Sequence, residues 1–233
     1  MNAIIENPLF GVMLSLLAFE IGQYIYSKTK SPIFNPLLTA ILLLIGFLYI
    51  SNISFETYNI GGSFINMFLG PATVVLAVPL YKQLQLFKKH FVPIMAGILI
   101  GSIIGIISII FLSTLLNLTP ELITSLVPKS VTTPIGVEIT KALGGVPSLT
   151  IAAIILSGII GAVAGPTLCK IFKIEDEIAL GIALGTASHA LGTSKAMELG
   201  EIQGAMSSLS MGIAGIITVF LAPILLYFTN LFI

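Results

Sequence analysis

Ionisable and hydroxyl side chains gather in one short stretch of a chain that is otherwise strongly apolar. Residues 181–201 read GIALGTASHALGTSKAMELGE and hold one histidine, one lysine and two glutamates among small and hydroxyl residues. Ionisable side chains inside a bilayer are costly unless they face protein or a water-filled cavity, and they therefore mark functional sites. His189 is of the one type that titrates near neutral pH, which suits a coupling proton or a hydrogen bond to an anionic substrate. The alternative is a structural interhelical hydrogen bond of about 0.6 kcal/mol.

Lys195 and Glu198 lie three residues apart, a spacing at which two side chains meet on a helix. A lysine at the bilayer centre costs about 2.5–3.5 kcal/mol on insertion scales, so Lys195 would need a carboxylate, from Glu198 or from a substrate. Thr193 or Ser194 could cap a half-helix whose free N–H groups bind an anion. In the alternative interpretation, both charges lie near the water interface and simply end a helix. We predict His189 and Glu198 as proton-coupling residues.

A second unusual stretch, residues 127–141, reads VPKSVTTPIGVEITK. Pro128 and Pro134 would each interrupt helical hydrogen bonds, and Pro134 favours extended geometry for Thr133. Freed backbone groups would then lie beside hydroxyls and Lys129 as a polar patch. The alternative is a loop at the membrane surface with Lys129 solvated. The predicted substrate-binding residues of the whole chain are Thr73, Lys129, Ser130, Thr132, Thr133, Thr186, Ser188, His189, Thr193, Ser194 and Lys195.

Both polar stretches are embedded in segments long enough to span a membrane. Of the 233 residues, 56% are hydrophobic and 9% are charged, whereas soluble domains carry about 25% charged residues. Apolar runs close to the length that crosses about 30 Å of hydrocarbon occur at residues 8–26, 33–50, 91–116, 148–164 and 207–231. We therefore predict an all-α, polytopic transmembrane protein with a single domain over residues 1–233. The net charge of the chain is zero, which gives no indication of a nucleic-acid partner.

Two interrupted segments occupy corresponding places in the chain and indicate an internal duplication. Leu-Gly-Pro-Ala-Thr at residues 69–73 aligns with Leu-Gly-Thr-Ala-Ser at residues 184–188, and Gly97 and Gly212 are separated by the same distance along the sequence. Such paired interruptions point to a transporter's binding site at the membrane midplane, although an ordinary kink and a packing glycine are the alternative. The predicted repeat halves are about 8–117 and 119–231, and the predicted helix breaks are Gly70, Pro71, Pro134, Gly185 and Gly192.

Basic residues form three clusters, at residues 28–30, 82–89 and 170–173. Cytoplasmic loops carry an excess of lysine and arginine, which would place all three clusters on one side of the membrane. This arrangement requires that one segment in each half, or residues 121–144, does not cross fully. An odd number of crossings per half would make the repeats inverted, and an even number would make them parallel.

The sequence offers little for catalysis or for a cofactor. Cys169 is the only cysteine and shows no metal-ligand spacing, so we expect neither an intramolecular disulfide nor a metal or other cofactor. Adjacent Ser188 and His189 point in different directions on one backbone and have no natural acid partner. We therefore expect no enzymatic activity and no catalytic residue. The first 26 residues lack a basic leader and are predicted to remain as a spanning helix.

Four motifs resemble the LrgB/CidB family of bacterial membrane proteins. They lie in order at residues 68–81, 128–134, 145–150 and 185–208, and the similarity covers most of the chain. The resemblance implies a multi-pass protein of the bacterial cytoplasmic (plasma) membrane that acts with a small LrgA/CidA-like partner. It implies antiholin-like or holin-like modulation of murein hydrolase activity. Similar plastid proteins exchange glycolate and glycerate, and bacterial members are linked to pyruvate uptake.

Two functions remain open from the sequence. The first is a membrane carrier for small monocarboxylates of the pyruvate, glycolate and glycerate type. Its expected partners are the surrounding lipid bilayer, an LrgA-like subunit and, in one arrangement, further copies of itself in a homo-oligomer. The alternative is a holin/antiholin-like regulator of murein hydrolase export and autolysis. A pore former needs a simple amphipathic lining and has no need of two broken motifs with distinct polar residues, which favours the carrier.

Overall fold

The computed structural model describes residues 5, 7–29, 34–68, 71, 74–75 and 77–230. Regular structure in these residues is helical and includes no strand, and four of the helices are long and apolar enough to cross a membrane. The prediction of an all-α, multi-pass membrane protein is thereby confirmed, whereas the internal repeat stays a prediction. The chain divides into two compact units, Met1–Val75 and Leu76–Ile233.

In the described part of the first unit, two helices pack closely on the first helix because small residues lie at the crossings. Gly11 and Gly61 touch so closely that a Cβ on Gly61 would lie 2.6 Å from the Gly11 Cα. Asn35 begins the second helix, since its side chain accepts a hydrogen bond from the Leu37 N–H at 2.9 Å, as a good N-cap does. The helices are α1 (Pro8–Thr29), α2 (Pro36–Ile50) and α3 (Phe55–Asn66).

The second unit carries most of the polar residues singled out above. Its three long helices have 25 or more residues each, and 25 residues of α-helix rise about 37 Å, enough to cross the hydrocarbon. The described helical elements are α4 (Ala77–Lys82), α5 (Leu84–Lys89), α6 (Phe91–Leu115), α7 (Pro120–Leu126), a 3₁₀ turn (Val127–Ser130), α8 (Thr133–Ala142), α9 (Pro147–Ile171), α10 (Glu177–Leu199) and α11 (Glu201–Asn230).

Two apolar clusters fix the direction of α6 relative to α11. Near the start of both helices, Ile94 packs with Met206, and both side chains are fully buried. Near the end of both helices, Ile110 packs with Ala222. The two helices therefore run parallel. Large apolar side chains on the outer faces are exposed, among them Phe111, as expected for a surface that meets lipid.

Candidate functional site

Helix α10 reverses direction at His189. This residue has φ 42° and ψ −131°, a left-handed backbone that is uncommon for a residue with a side chain. In a straight helix, Leu184 and Gly192 would lie about 12 Å apart along the axis, yet a Cβ on Gly192 would collide with the Leu184 carbonyl oxygen. Residues 177–188 and 190–199 are therefore two half-helices that fold back on each other. We call this element hairpin B, with His189 at its tip.

Both half-helices of hairpin B lie along α11. Gln203 donates a hydrogen bond to Glu177 at 3.1 Å, near the entry to the hairpin, and a Cβ on Gly204 would lie 2.7 Å from Met197, near its exit. Further along α11, the Ser207 hydroxyl lies 3.0 Å from the Thr193 hydroxyl. A Cβ on Gly185 would meet the Ser207 carbonyl oxygen. Hairpin B thus enters and leaves at the same end of α11.

The predicted break in this segment is present, but its position differs from the prediction. Gly185 and Gly192 lie inside the two half-helices, and their missing side chains allow contact with α11 and with the opposite half-helix. The turn itself is made by His189. Histidine is one of the few residue types enriched in left-handed geometry, which is the one signal in the sequence that could have placed the turn there.

The second polar stretch forms another hairpin, from α7, the 3₁₀ turn and α8. At its base, Thr150 of α9 donates a hydrogen bond to the Ser125 carbonyl at 2.9 Å and lies 2.7 Å from the Thr140 hydroxyl. One residue of α9 therefore contacts both α7 and α8, so both helices lie against the start of α9. Between them, Val131 and Thr132 are extended, and Pro134 occupies the first turn of α8. We call residues 120–142 hairpin A, with its tip at residues 129–132.

The tips of the two hairpins meet on one short part of α9. Ser157 donates a hydrogen bond to the Lys129 carbonyl at 2.9 Å. The His189 Nε2 lies 2.9 Å from the Ile154 carbonyl, and because a carbonyl only accepts, Nε2 must carry the proton and donate. Gly158 lies under the His189 ring, since a Cβ there would be 2.6 Å from Cε1.

The hairpins approach this meeting point from opposite ends of α9. The base of hairpin A contacts the start of α9, because the Val146 N–H donates to the Ser125 hydroxyl at 2.7 Å. Hairpin B runs against the end of α9, where a Cβ on Gly165 would lie 2.5 Å from Leu184. The half-helices of hairpin B have twelve and ten residues, and α8 of hairpin A has ten. Helices of this length rise about 15–18 Å, half of a hydrocarbon core of about 30 Å. Each tip therefore lies near the middle of α9, and a bilayer crossed by α9 would have both tips near its middle depth.

A cavity of about 790 Å³ leads to the tips between α6 and the first half of hairpin B. Its walls are mainly apolar, with His90 and Asp176 toward one end of these helices and Lys129, Ser130 and Thr186 toward the tips. The Lys129 ammonium is partly buried and donates a hydrogen bond to the Ser130 hydroxyl at 3.1 Å. Among the described residues it has no carboxylate partner. A cation in this position can accept an anion from the cavity.

The structure brings some predicted site residues together and places others elsewhere. Ser188, His189 and Thr193 are buried at the tip of hairpin B. Thr132 lies at the tip of hairpin A and Thr133 begins α8; both are partly buried, and neither lines the cavity.

The remaining predicted residues lie toward the base of hairpin B or outside the described part. Lys195 pairs with Glu198 at 2.7 Å on the outer part of hairpin B, and Ser194 is exposed there. Gly70 and Thr73 lie outside the described residues, so the predicted break beside them stays a prediction. Pro71 is described and exposed.

Ser102 of α6 was not predicted as a site residue. It lies within the run Gly97, Gly101 and Gly105, whose spacing indicates close helix packing. Ser102 is 7% exposed, and its hydroxyl has no hydrogen-bond partner within the described protein; the same is true of the hydroxyls of Thr186 and Ser188. Only the spatial position of Ser102, beside Thr186 in a separate small cavity, shows that it belongs to this region.

Known proteins are similar to this chain along nearly its whole length. A family model described as "LrgB-like family" matches residues 15–228. The protein named "Uncharacterized protein YxaC" of Bacillus subtilis is 40% identical over 216 residues, which cover 93% of this chain and 94% of that protein. The protein named "Antiholin-like protein LrgB" of Bacillus cereus is 38% identical over 223 residues, which cover 95% of this chain and 97% of that protein. No solved structure matches the chain.

Proposed function

Because the chain belongs to the LrgB-like family of multi-pass bacterial membrane proteins, we propose that it carries small monocarboxylates across the membrane, together with an LrgA-like partner subunit. The substrates are of the pyruvate, glycolate and glycerate type. The proposal includes no catalytic step. It rests on the chemistry at the meeting point of the two hairpins.

The observation that supports this proposal most directly is the state of Lys129. Lys129 lines the large cavity near the middle of α9, its ammonium donates a hydrogen bond to the Ser130 hydroxyl, and no carboxylate of the described residues neutralises it. An unpaired cation at such a depth is costly, and a carboxylate from outside would offset that cost through a charge-assisted hydrogen bond. Lys195 differs, because Glu198 already pairs with it.

The backbone arrangement also favours a carrier. Broken helices at membrane depth are tolerated where protein or a cavity covers them, and half-helices that meet near the midplane are typical of transporter binding sites. A wide pore would need a continuous polar lining. The cavity here is mostly apolar and leads to the packed tips of hairpins A and B.

We place the coupling proton on His189. Its Nε2–H is held by the Ile154 carbonyl, so Nδ1 is the nitrogen that can accept a further proton. An imidazolium at this tip would add a second positive charge near Lys129 and thereby favour an arriving anion. Glu198, the second proposed coupling residue, lies at the exposed end of hairpin B in an ion pair with Lys195.

A second candidate is the antiholin-like regulator, which the name of the Bacillus cereus relative favours. The two functions are compatible, because a flux of organic acids can itself control autolysis.

Counterflow in liposomes tests the carrier directly. The protein would be purified, reconstituted with and without its LrgA-like partner, and loaded with unlabelled pyruvate before labelled pyruvate or glycolate is added outside. We expect saturable accumulation of label that protein-free liposomes do not show. Leakage of solutes of many sizes, with no saturation, would instead identify a pore and contradict the proposal.

The hairpins also predict the topology of the second unit. Residues 82–89 precede α6, and residues 170–173 lie at the end of α9. Along the first half of hairpin B, from residue 182 to residue 188, the contacting glycine of α6 changes from residue 97 to residue 101, whereas that of α9 changes from residue 165 to residue 161. The two helices therefore run in opposite directions. The two basic clusters therefore lie at the same end of the unit, which the positive-inside rule assigns to the cytoplasm.

Labelling of single cysteines measures this topology. In a Cys169→Ser background, we expect Glu121→Cys to react with a membrane-impermeant maleimide in intact cells. Glu175→Cys and Leu199→Cys, at the two ends of hairpin B, should react only after permeabilisation. If the last two positions were labelled from opposite sides, hairpin B would be a spanning helix and the proposed topology would be wrong.

A further inference from the structure

Two buried hydroxyls beside the cavity have no protein partner. Ser102 of α6 and Thr186 of hairpin B are 7% and 8% exposed, and neither Oγ atom has a hydrogen-bond partner among the described residues. Leaving a buried hydroxyl unpaired costs about 1–3 kcal/mol, and buried polar groups in native proteins almost always have a partner. The pair is therefore suited to a group that the protein itself does not supply.

The two residues line a small cavity of about 10 Å³ together with Ser130. This volume is enough for about one water-sized atom. Ser130 and Thr186 also line the large cavity, and the Ser130 hydroxyl accepts a hydrogen bond from the Lys129 ammonium at 3.1 Å. The small cavity is thus next to Lys129, the residue that we propose binds the carboxylate of the substrate.

The absence of a side chain at Gly101 keeps this region compact. Gly101 lines both cavities, and a Cβ on it would lie 3.1 Å from the Thr186 methyl group. An added methyl would press on Thr186, which lines both cavities.

We propose that Ser102 and Thr186 form a subsite for a second oxygen of the bound acid, attached to the carbon next to the carboxylate. This inference rests on the proposed carrier function. A hydroxyl can donate and accept, so the pair can donate to a 2-oxo group, or donate to and accept from a 2-hydroxy group. One atom of oxygen fills the volume, while the carboxylate remains at Lys129.

The subsite makes a specificity prediction that Lys129 alone does not make. Acids with a 2-oxo or 2-hydroxy group bind more tightly than unsubstituted acids of the same length, because the latter leave both buried hydroxyls unpaired. Pyruvate and propionate differ in this respect and have the same number of carbons. From the cost of an unpaired group, we expect the wild-type protein to prefer pyruvate by about tenfold or more.

The experiment measures inhibition of labelled pyruvate counterflow by unlabelled pyruvate and by propionate. In Ser102→Ala and Thr186→Val, the preference for pyruvate should fall to within about twofold, with the inhibition constant of propionate unchanged. Thr186→Ser retains the hydroxyl and should retain the preference. Ser113→Ala is the matched control, since Ser113 is a buried serine of the same helix that lines neither cavity.

The outcomes separate the subsite from the carrier function. If the wild-type protein transports no acid, the proposed function fails. If it transports acids but does not distinguish pyruvate from propionate, the proposed carrier function is supported and the proposed subsite is wrong. If Ser102→Ala and Thr186→Val weaken both acids equally, the hydroxyls hold a water or support the fold, and this result also overturns the subsite.

Discussion

Replacing Lys129 with methionine is expected to lower pyruvate uptake by about 10–100-fold, because a hydrogen bond to a charged group contributes about 1.5–3 kcal/mol. Methionine preserves most of the apolar stem and removes the ammonium that faces the cavity. It also removes an uncompensated charge from membrane depth, so the variant should fold at least as well as the wild-type protein. Initial uptake rates over a range of pyruvate concentrations measure the effect, which should appear mainly in KM.

Two other lysines provide the comparison. Lys141→Met is the control, since Lys141 is exposed and pairs with Glu138 at 2.7 Å on the outer part of hairpin A. Exposed pairs of this kind contribute about 0–1 kcal/mol, so uptake should stay close to wild type. Lys195→Met tests the other predicted ligand. A larger loss of uptake for Lys195→Met than for Lys129→Met would place the anion on hairpin B and contradict our assignment.

Replacing Gly161 with alanine is expected to destabilise the packing of hairpin B against α9. A Cβ on Gly161 would collide with the Ser188 hydroxyl and lie 2.8 Å from the Ser188 Cβ. Ser188 is 1% exposed, so its side chain has little space into which to move. Overpacking of this kind costs about 1–3 kcal/mol, which corresponds to a fall of roughly 2–12 °C in the midpoint of thermal unfolding for a chain of this length. Thermal unfolding of the purified protein in detergent measures the change.

A second substitution can restore the contact. Ser188→Gly removes both atoms that the new methyl would meet, so the double variant Gly161→Ala/Ser188→Gly should be more stable than Gly161→Ala alone. This holds although glycine in a helix costs about 1 kcal/mol. Residues in contact give non-additive effects of this kind. Gly212→Ala is the control, because a Cβ there meets nothing within 4 Å. Additive losses in the double variant would mean that Ser188 does not pack on Gly161.

Much of the fold could be predicted from the sequence because lipid imposes a simple rule. Long apolar runs must be helices in a bilayer, and the runs that begin at residues 91 and 207 correspond to α6 and to most of α11. The reversal at His189 is different, because distant residues determine it. Ile154 of α9 accepts the hydrogen bond from its ring, and no local pattern encodes that partner.

The candidate site was predictable in its residue types and less so in its arrangement. The two polar stretches were evident from their charges and prolines, and the structure places Lys129 and Thr186 at one cavity. The sequence could not rank Lys129 against Lys195, because the ion pair with Glu198 depends on the outer position of that half-helix. Ser102 was missed because a serine in a helix usually bonds to its own backbone, whereas the hydroxyl of this residue does not.

The contacts of hairpin B also determine when it can form during synthesis. Ile154, which holds the tip, is translated before the hairpin, but Ser207, which contacts Thr193, is translated after it. A nascent chain that ends near residue 200 therefore has no surface to cover the second half-helix. We expect the hairpin to enter the bilayer only after α11 has left the ribosome and the insertion machinery. Chains truncated before α11 should consequently be recognised by membrane quality-control proteases.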